Sequence, residues 1–325
     1  MASTAEIVDE TLAAMRDVAA GAAPDALTAL RERTSMPAGV ATAPGTGSTT
    51  PTPPPLPGGL ASADQVITRP NGVNYHVRKL GIHDDVAVLQ RARDRGIPVL
   101  TYGPPGTGKT AMIEAAFGDI ETVQGNGDTD VSEFVGGFIQ LPNGMFSWVD
   151  GPLPRAMERG VPLYVDEISL VEPKVMSVVY GAMDGRGVIE ITQNPDRGEV
   201  EAKPGFYVIA SCNPNAPGAR MSEALLSRFR LSFKVGTDYD LAKRLGVPNK
   251  VVGAAQNMEQ KVTEGAISWS PQLRELLGYV ENEENFGPAI ALSNLVSQAP
   301  EHDRVVVADV LTRKFGDEVK ELGLR

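Results

Sequence analysis

The chain has 325 residues, and its 42% hydrophobic and 22% charged residues are the balance of an ordinary globular protein. A net charge of −11 argues against a surface that attracts nucleic acid or anionic membrane as a whole. One cysteine, Cys212, excludes a disulfide framework and a cysteine metal site, and three histidines argue against a histidine metal centre. The first ten residues lack the features of a signal peptide and no apolar run reaches about 18 residues, so we expect a cytoplasmic protein without a membrane span.

The first part of the chain divides by composition into two predicted segments. Residues 1–34 carry Ala and Leu at roughly helical spacing, which predicts an N-terminal helical segment. Residues 35–62 are rich in Pro, Gly and Thr and include PTPPPLPGG at Pro51–Gly59. Such a composition cannot bury enough apolar surface to offset the entropy of ordering, so a linker is predicted. Docking of the proline run on a partner is the alternative.

The rest of the chain predicts an α/β domain followed by a helical one. Residues 63–236 alternate short apolar runs with helical patterns, which indicates a parallel sheet covered on both faces. The predicted strands are Ile97–Tyr102, Asp119–Gln124, Val161–Val165, Phe206–Ser211 and Leu231–Val235. Residues 237–325 contain only helical patterns. The predicted helices are Asp238–Leu245, Pro248–Val262, Pro271–Glu281, Pro288–Gln298 and Asp303–Phe315.

A phosphate-binding loop is predicted at Gly103–Thr110, where GPPGTGKT fits the pattern G-x-x-x-x-G-K-[ST] between a buried strand and a helix. Glycines allow backbone N–H groups at a helix N-terminus to face phosphates. Lys109 would place its charge against the β- and γ-phosphates, and the Thr110 hydroxyl would ligate Mg²⁺. A glycine-rich turn without a ligand is the alternative. The predicted ATP-binding residues are Gly103, Pro104, Pro105, Gly106, Thr107, Gly108, Lys109, Thr110 and Ala111.

Two adjacent acids follow a second apolar strand, in LYVDEI at Leu163–Ile168. Because open α/β sheets bind ligands beyond the carboxyl ends of their strands, both acids are expected to face the same crevice. Asp166 would then hold Mg²⁺ and Glu167 would polarise the attacking water. The alternative is that these acids only cap the next helix.

Two further polar residues come after the acidic pair along the chain and lie next to predicted strands. Asn213 ends the strand FYVIASCN and could orient water or sense the γ-phosphate, or simply form an Asx turn before Pro214. Arg228 lies in EALLSRFR just before the last strand. Arginine is the residue used in trans to stabilise a transferring phosphate, although an isolated surface arginine is the alternative.

These four features in this order resemble the AAA+ ATPases, and the details resemble the MoxR group, which includes activators of Rubisco and of nitric oxide reductase and the cobalt chelatase ATPase subunit. The resemblance covers about Ile67 to the C-terminus and implies a five-stranded parallel sheet of order 5-1-4-3-2 with a helical lid. Three stretches carry the closer match: the helix-2 insert at Phe134–Pro152, the hairpin before the first sensor at Val188–Lys203, and ASCNP at Ala210–Pro214.

The resemblance implies roles for the remaining site residues. Asn213 is the first sensor, and Arg228 is the finger that a neighbouring subunit inserts. Arg274 is the candidate second sensor. Either it is shifted by two positions from the family pattern after Ser270-Pro271, or the contact with the γ-phosphate in the same chain is weaker. His76 is expected near the adenine. A finger acting in trans requires an oligomer, so the resemblance implies a ring, normally a hexamer, that binds ATP and Mg²⁺.

The residue pattern of the helix-2 insert predicts its structure independently of the resemblance. Phe138–Leu141 and Met145–Trp148 alternate around Pro142-Asn143-Gly144, which predicts a hairpin. Its apolar residues Ile139, Phe146 and Trp148 are expected to be exposed tips, which grip a polypeptide or pack on a neighbouring subunit.

Three functions compete at this stage. The first is a MoxR-like ATPase that remodels or activates a protein partner in a chaperone-like way, including metal cofactor insertion, with a von Willebrand factor A domain protein as the adaptor that the resemblance implies. The second is a nucleic-acid motor, against which the acidic balance counts. The third is a nucleotide-gated scaffold with little turnover, against which the intact Asp166–Glu167 pair counts.

Overall fold

A computed structural model describes residues 65–324, so the predicted N-terminal helical segment and the predicted linker lie outside the described residues. The described residues all lie within one compact unit. Short strand pairs and one helix precede the main sheet: β1 (Val66–Thr68), β2 (Asn74–His76), β3 (Lys79–Leu80), β4 (His83–Asp84) and α1 (Asp85–Asp94).

The middle of the chain alternates strands and helices. In chain order these are β5 (Val99–Tyr102), α2 (Lys109–Phe117), β6 (Glu121–Gln124), α3 (Val131–Val135), β7 (Gly136–Gln140), β8 (Phe146–Asp150), α4 (Pro152–Arg159), β9 (Leu163–Asp166), the 3-10 helix Ile168–Leu170, α5 (Pro173–Met183), β10 (Val188–Glu190), β11 (Glu199–Glu201), β12 (Val208–Cys212), α6 (Glu223–Leu226) and β13 (Leu231–Lys234).

Five of these strands form one parallel sheet in the order β13-β5-β12-β9-β6. Counted along the chain this is 5-1-4-3-2, so the predicted fold class is confirmed. The predicted first strand began at Ile97, whereas β5 begins at Val99. Pro98 explains the difference, because proline has no N–H to donate to a sheet ladder.

The sheet is buried on both faces, as the continuous apolar strands predict. Val99, Tyr164 and Ile209 point to one face and pack in a cluster with residues of α1 and α2. Their neighbours Leu100, Val165 and Ala210 point to the other face, where the cluster includes residues of α4 and α5. Alternation along the strands therefore directs Tyr164 under the phosphate loop helix.

Between α3 and α4 the predicted insert forms the antiparallel hairpin β7–β8. Phe146 and Ile139 are exposed, as predicted. The expectation that Trp148 is an exposed tip is wrong. Its ring meets Phe138 edge-on at 5.2 Å, it packs on the core, and its Nε1 donates to Asp150 at 2.7 Å. A tryptophan with both an apolar body and a polar partner is stable only when partly buried.

The hairpin before the first sensor, β10–β11, is also present. Arg197 in its loop donates to Asp150 at 3.0 Å and to Glu158 at 2.5 Å. Burial acts to raise the pKa of Asp150, but its hydrogen bonds with Arg197 and Trp148 outweigh burial and hold the pKa below its usual range. The two hairpins are therefore joined by a charged contact.

Helices alone follow the sheet. They are α7 (Tyr239–Arg244), α8 (Asn249–Thr263), α9 (Leu273–Phe286), α10 (Pro288–Gln298), the 3-10 helix Glu301–Asp303 and α11 (Arg304–Phe315). The α-helices begin within two residues of their predicted starts. For α8, α9 and α10, a proline at or just before the first turn marks where the helix can begin. These helices bury their own apolar cluster, which includes Leu276, Leu295 and Leu311. Within residues 65–324 no helix has the length and apolar content needed to span a membrane.

Candidate active site

The phosphate loop joins β5 to α2 through glycines that no other residue replaces easily. Gly103, Gly106 and Gly108 all have positive φ, at 147°, 79° and 87°. A Cβ on Gly103 would lie 2.3 Å from the Val235 carbonyl oxygen. Gly108 is the N-cap of α2 in the left-handed conformation and has no side chain to cap the helix. The first N–H groups of α2 therefore face the loop without partners inside the helix. This is the arrangement in which a helix N-terminus binds anions.

Lys109 is buried at the first turn of α2, with 7% of its surface exposed. Its Nζ donates to the carbonyls of Gly103 and Pro104, each at 2.9 Å. Burial lowers the pKa of Lys109 below its usual range, while the carboxylates of Glu167 and Asp166 act in the opposite direction. The loop therefore holds a desolvated ammonium group beside two carboxylates.

Thr110 and Asp166 meet across the gap between α2 and β9. The Thr110 hydroxyl lies 3.4 Å from Asp166 Oδ2 and 3.1 Å from the Tyr164 hydroxyl. Asp166 Oδ1 accepts hydrogen bonds from the Glu167 N–H at 3.0 Å and from the Ser211 hydroxyl. The two residues predicted to hold a metal are thus brought together by the parallel strands.

Glu167 has φ 49°, the one positive φ among non-glycine residues in the described part of the chain. Such a conformation costs energy and is typical of functional sites. Glu167 Oε2 accepts a hydrogen bond from the Asn213 N–H at 3.2 Å. Glu167 stands at the N-cap position of the 3-10 helix Ile168–Leu170, but its side chain makes no capping hydrogen bond. The turn after β9 directs the Glu167 side chain toward the end of β12 instead.

Asn213 reaches the same edge of the sheet, but its side chain has a local partner. Its Oδ1 accepts from the Asn215 N–H at 3.1 Å, which is the Asx turn that the sequence left open as an alternative. Asn213 therefore has two roles. Its backbone N–H contacts Glu167, and its own side chain forms the turn at Pro214.

Sequence reasoning missed Tyr164 and Ser211. Tyr164 is fully buried, and its hydroxyl donates to the Ser211 hydroxyl at 3.0 Å. Burial raises the pKa of Tyr164 above its usual range, as do the nearby charge and hydrogen bond of Asp166. Burial also raises the pKa of Cys212, the next residue after Ser211, to about 12. The sequence did contain a signal for these two residues, because each places a hydroxyl group within an otherwise apolar strand, β9 or β12.

A cavity of about 270 Å³ lies beside the loop, between the segment before α1 and the chain after β13. It is lined by Arg78, Lys79, Leu80, Asp85, Met112 and residues 233–238. His76 is not among the lining residues. Instead Arg78 reaches the loop, where its Nη1 donates to the Thr107 carbonyl at 2.9 Å and its Nε to the Tyr75 hydroxyl at 3.1 Å. Sequence reasoning did not single out Arg78.

The first turn of α9 touches the phosphate loop. The Arg274 N–H donates to the Gly106 carbonyl at 3.0 Å, and a Cβ on Gly106 would lie 3.1 Å from the Cβ of Arg274. Gln272, just before α9, accepts from the Thr237 hydroxyl at 2.7 Å. The positive charge of Arg274 also lowers the pKa of Lys109, although this effect is smaller than those of burial and of the two carboxylates. The helical part is thus attached directly to the loop.

Arg228 stands apart from this cluster. Its guanidinium lies 3.9 Å from the ring centroid of Tyr180 and donates to the Ala224 carbonyl. Its Nε is buried and has no hydrogen-bond partner among the described residues. The arginine is therefore held on the surface of its own chain, away from Lys109 and Thr110.

The donor set fits Mg²⁺. This ion takes oxygen ligands and is normally bound by one or two protein groups together with substrate phosphates. Thr110 and Asp166 supply a hydroxyl and a carboxylate oxygen beside the N-terminus of α2. Within residues 65–324 no group of three or more His, Cys, Asp or Glu side chains is placed to hold a metal without such help.

Comparison with known proteins gives three kinds of match. A family model described as the AAA domain, dynein-related subfamily, matches residues 98–229. The protein NorQ of Paracoccus denitrificans is 28% identical over 248 residues, which cover 74% of this chain and 89% of NorQ. A solved protein structure from Cytophaga hutchinsonii aligns at 16% identity with a TM-score of 0.37, over 68% of this chain and 78% of that chain.

Two uncharacterized staphylococcal proteins are somewhat more similar in sequence. One from Staphylococcus haemolyticus is 30% identical over 215 residues, covering 62% of this chain and 79% of that protein. One from Staphylococcus aureus is 33% identical over 172 residues, covering 50% of this chain and 64% of that protein.

Proposed function

The chain belongs to the MoxR-like group of AAA+ ATPases, and from this premise we propose that it hydrolyses ATP within an oligomeric ring in order to remodel or activate a protein partner. The observation that supports the proposal most is the meeting of Thr110, Asp166 and Glu167 at the carboxyl edge of the sheet, beside Lys109. The assembly and the partner are argued below from other residues.

In the proposed reaction the phosphate loop binds the nucleotide and α2 orients it. Phosphate oxygens replace the two loop carbonyls that Lys109 contacts, which removes the cost of its burial by pairing the charge. Thr110 and Asp166 would hold Mg²⁺, which would supply charge neutralisation for the nucleotide phosphates when bound. The Arg78 contact with Thr107 keeps the loop backbone in place while this happens.

Glu167 is the proposed base. It orients the attacking water and accepts its proton, a task for which a carboxylate must be aimed at the γ-phosphate before the reaction. The Asn213 N–H holds one carboxylate oxygen, Oε2, and leaves the other free. Through this contact a movement at the end of β12 would move the base.

Arg228 is the proposed finger in trans. Its contacts with Tyr180 and Ala224 keep it on the surface of its own chain, so it completes the site of a neighbour and not its own. An arginine there would stabilise charge on the transferring phosphate. This requirement supports a ring, for which six subunits is the number that the family resemblance implies.

The partner surface that we propose is the β7–β8 hairpin. Five of its large apolar side chains are exposed: Phe138, Ile139, Met145, Phe146 and Val149. Exposed apolar residues gathered on one hairpin are typical of a protein contact. The Arg197 contact with Asp150 links this hairpin to β10–β11, which lies ahead of the strand that carries Asn213. A von Willebrand factor A domain adaptor remains part of the proposal through the resemblance alone.

Mixing two inactive variants tests the ring. Arg228→Ala should abolish turnover and keep nucleotide binding, whereas Lys109→Ala should abolish binding. A mixture of the two should recover activity, because a Lys109→Ala subunit supplies its intact Arg228 to an Arg228→Ala neighbour. Lys109→Ala mixed with Glu167→Gln is the control, since both changes damage the same half-site and no recovery is expected. A first mixture as inactive as its parts would contradict action in trans.

Capture of the partner tests the biological role. Glu167→Gln should bind ATP and retain its partner, which is then identified by mass spectrometry after pull-down. Lys109→Ala is the matched control that should not retain it, and Phe146→Ser in the Glu167→Gln background should weaken capture. Stimulation of turnover by DNA that disappears at high salt would point instead to a nucleic-acid motor.

A further inference from the structure

We infer that Tyr164 is a positioning residue for the magnesium ion: its hydroxyl oxygen accepts the hydrogen bond that Thr110 donates and so keeps Asp166 Oδ2 clear for the metal. The inference rests on the proposed Mg²⁺ site at Thr110 and Asp166. It concerns a residue that touches neither nucleotide nor metal, because Tyr164 is fully buried in the middle of β9. Its only role toward the site is through the hydroxyl groups around it.

Three hydroxyl groups and one carboxylate form a chain of hydrogen bonds. Thr110 and Tyr164 are 3.1 Å apart, Tyr164 and Ser211 are 3.0 Å apart, and Ser211 contacts Asp166 Oδ1. Each hydroxyl has a single proton to donate, and an ionised carboxylate can only accept. Ser211 therefore donates to Asp166, and Tyr164 donates to Ser211. The Thr110 hydroxyl then donates to Tyr164, which at 3.1 Å is closer than Asp166 Oδ2 at 3.4 Å. The first two directions follow from the carboxylate end, and the third follows from the shorter distance.

These bond directions give the two oxygens of Asp166 different roles: Oδ1 accepts hydrogen bonds and Oδ2 is available to the metal. Oδ1 already accepts from the Ser211 hydroxyl and from the Glu167 N–H. Oδ2 has one nearby donor, the Thr110 hydroxyl at the longer distance of 3.4 Å. While Thr110 donates to Tyr164, its lone pairs and Oδ2 are both available to one cation. Tyr164 thereby prepares both metal ligands at once.

Removal of the Tyr164 hydroxyl has a specific consequence. The Thr110 proton then has one acceptor left within the cluster, Asp166 Oδ2. That hydrogen bond would occupy the oxygen meant for the metal and would rotate the Thr110 lone pairs away. Loss of partners that orient metal ligands typically costs metal affinity about 10- to 100-fold. Nucleotide binding without metal uses the loop and Lys109 and does not involve these groups.

The test compares two affinities for a nonhydrolysable ATP analogue, measured by isothermal titration calorimetry on the full chain in Mg²⁺ and in EDTA. The ratio of interest is the affinity in Mg²⁺ divided by the affinity in EDTA. For Tyr164→Phe we expect this ratio to fall about tenfold while the affinity in EDTA stays the same. Tyr207→Phe is the matched control. Tyr207 is also buried next to the sheet, at 3% exposure, and its hydroxyl has no partner among the described residues. Its ratio should equal that of the unmodified chain.

Two further variants separate the inference from its premise. If Thr110→Ala and Asp166→Asn leave the ratio unchanged, the proposed metal site is wrong. If both lower it and Tyr164→Phe behaves like Tyr207→Phe, or loses affinity equally in Mg²⁺ and EDTA, the inference is overturned. Should Tyr164→Phe fail to fold, Ser211→Ala removes the acceptor of the Tyr164 proton and must lower the ratio in the same direction, and an unchanged ratio overturns the inference.

Discussion

The carboxyl edge of the sheet and the β7–β8 hairpin differ in where their side chains find partners. At the sheet edge, Asp166 and Glu167 are held by hydrogen bonds from the same chain. On the hairpin, Met145 and Phe146 are about two-thirds exposed, at 64% and 66%. The difference teaches that one chain suffices to arrange the chemistry, whereas the hairpin presents apolar surface for another molecule.

The largest expected effect breaks the sheet edge. Glu167→Gln should lower ATP hydrolysis about 10³-fold, because a neutral amide cannot accept the proton of the attacking water. Affinity for ATP should remain, since the phosphate loop is unchanged. Phosphate release measures turnover and calorimetry measures binding. Glu201→Gln on the exposed side of β11 is the control and should turn over normally, and equal rates for the two variants would show that Glu167 is not the base.

The same substitution at two glycines compares the two regions directly. Gly103→Ala should destabilise the protein by about 3 kcal/mol, because a strained φ adds to a clash with the Val235 carbonyl. Gly144→Ala in the hairpin turn should cost only about 1 kcal/mol, since its φ of +82° is strained but the space around it is open. Urea denaturation measures both. Equal losses would mean that the backbone of the loop is freer than its packing indicates.

The smallest effect distinguishes two aromatic residues of one strand. Trp148→Ala should cost about 2 kcal/mol, because its ring packs on the core and its Nε1 binds Asp150. Phe146→Ala should stay within about 0.5 kcal/mol, as expected of a side chain that is 66% exposed. Thermal unfolding of the two variants makes the comparison. A large loss for Phe146→Ala would place that ring in the hydrophobic core.

Much of the fold could be predicted because its signals are local. Apolar runs such as that of β9 identify buried strands, Pro288 marks the start of α10, and the spacing of Gly103, Gly108 and Lys109 matches a loop whose torsions only glycine adopts. The exposure of Trp148 was predicted wrongly because its contacts with the core are not local in sequence. Alternation on a hairpin tells which side chains share a face, but not whether that face meets another part of the chain.

The sequence by itself determined the fold class, the strand order through the family resemblance, and the residue types of the phosphate loop and the acidic pair. It determined them because backbone torsion, apolar periodicity and motif spacing act over short distances along the chain. Only the tertiary structure decided that Tyr164 and Ser211 connect Thr110 to Asp166, that Arg78 and not His76 reaches the loop, and that Arg228 contacts Tyr180 and Ala224. These contacts join residues that are far apart in sequence, and the parallel sheet brings them within hydrogen-bonding distance only once its strands are in register.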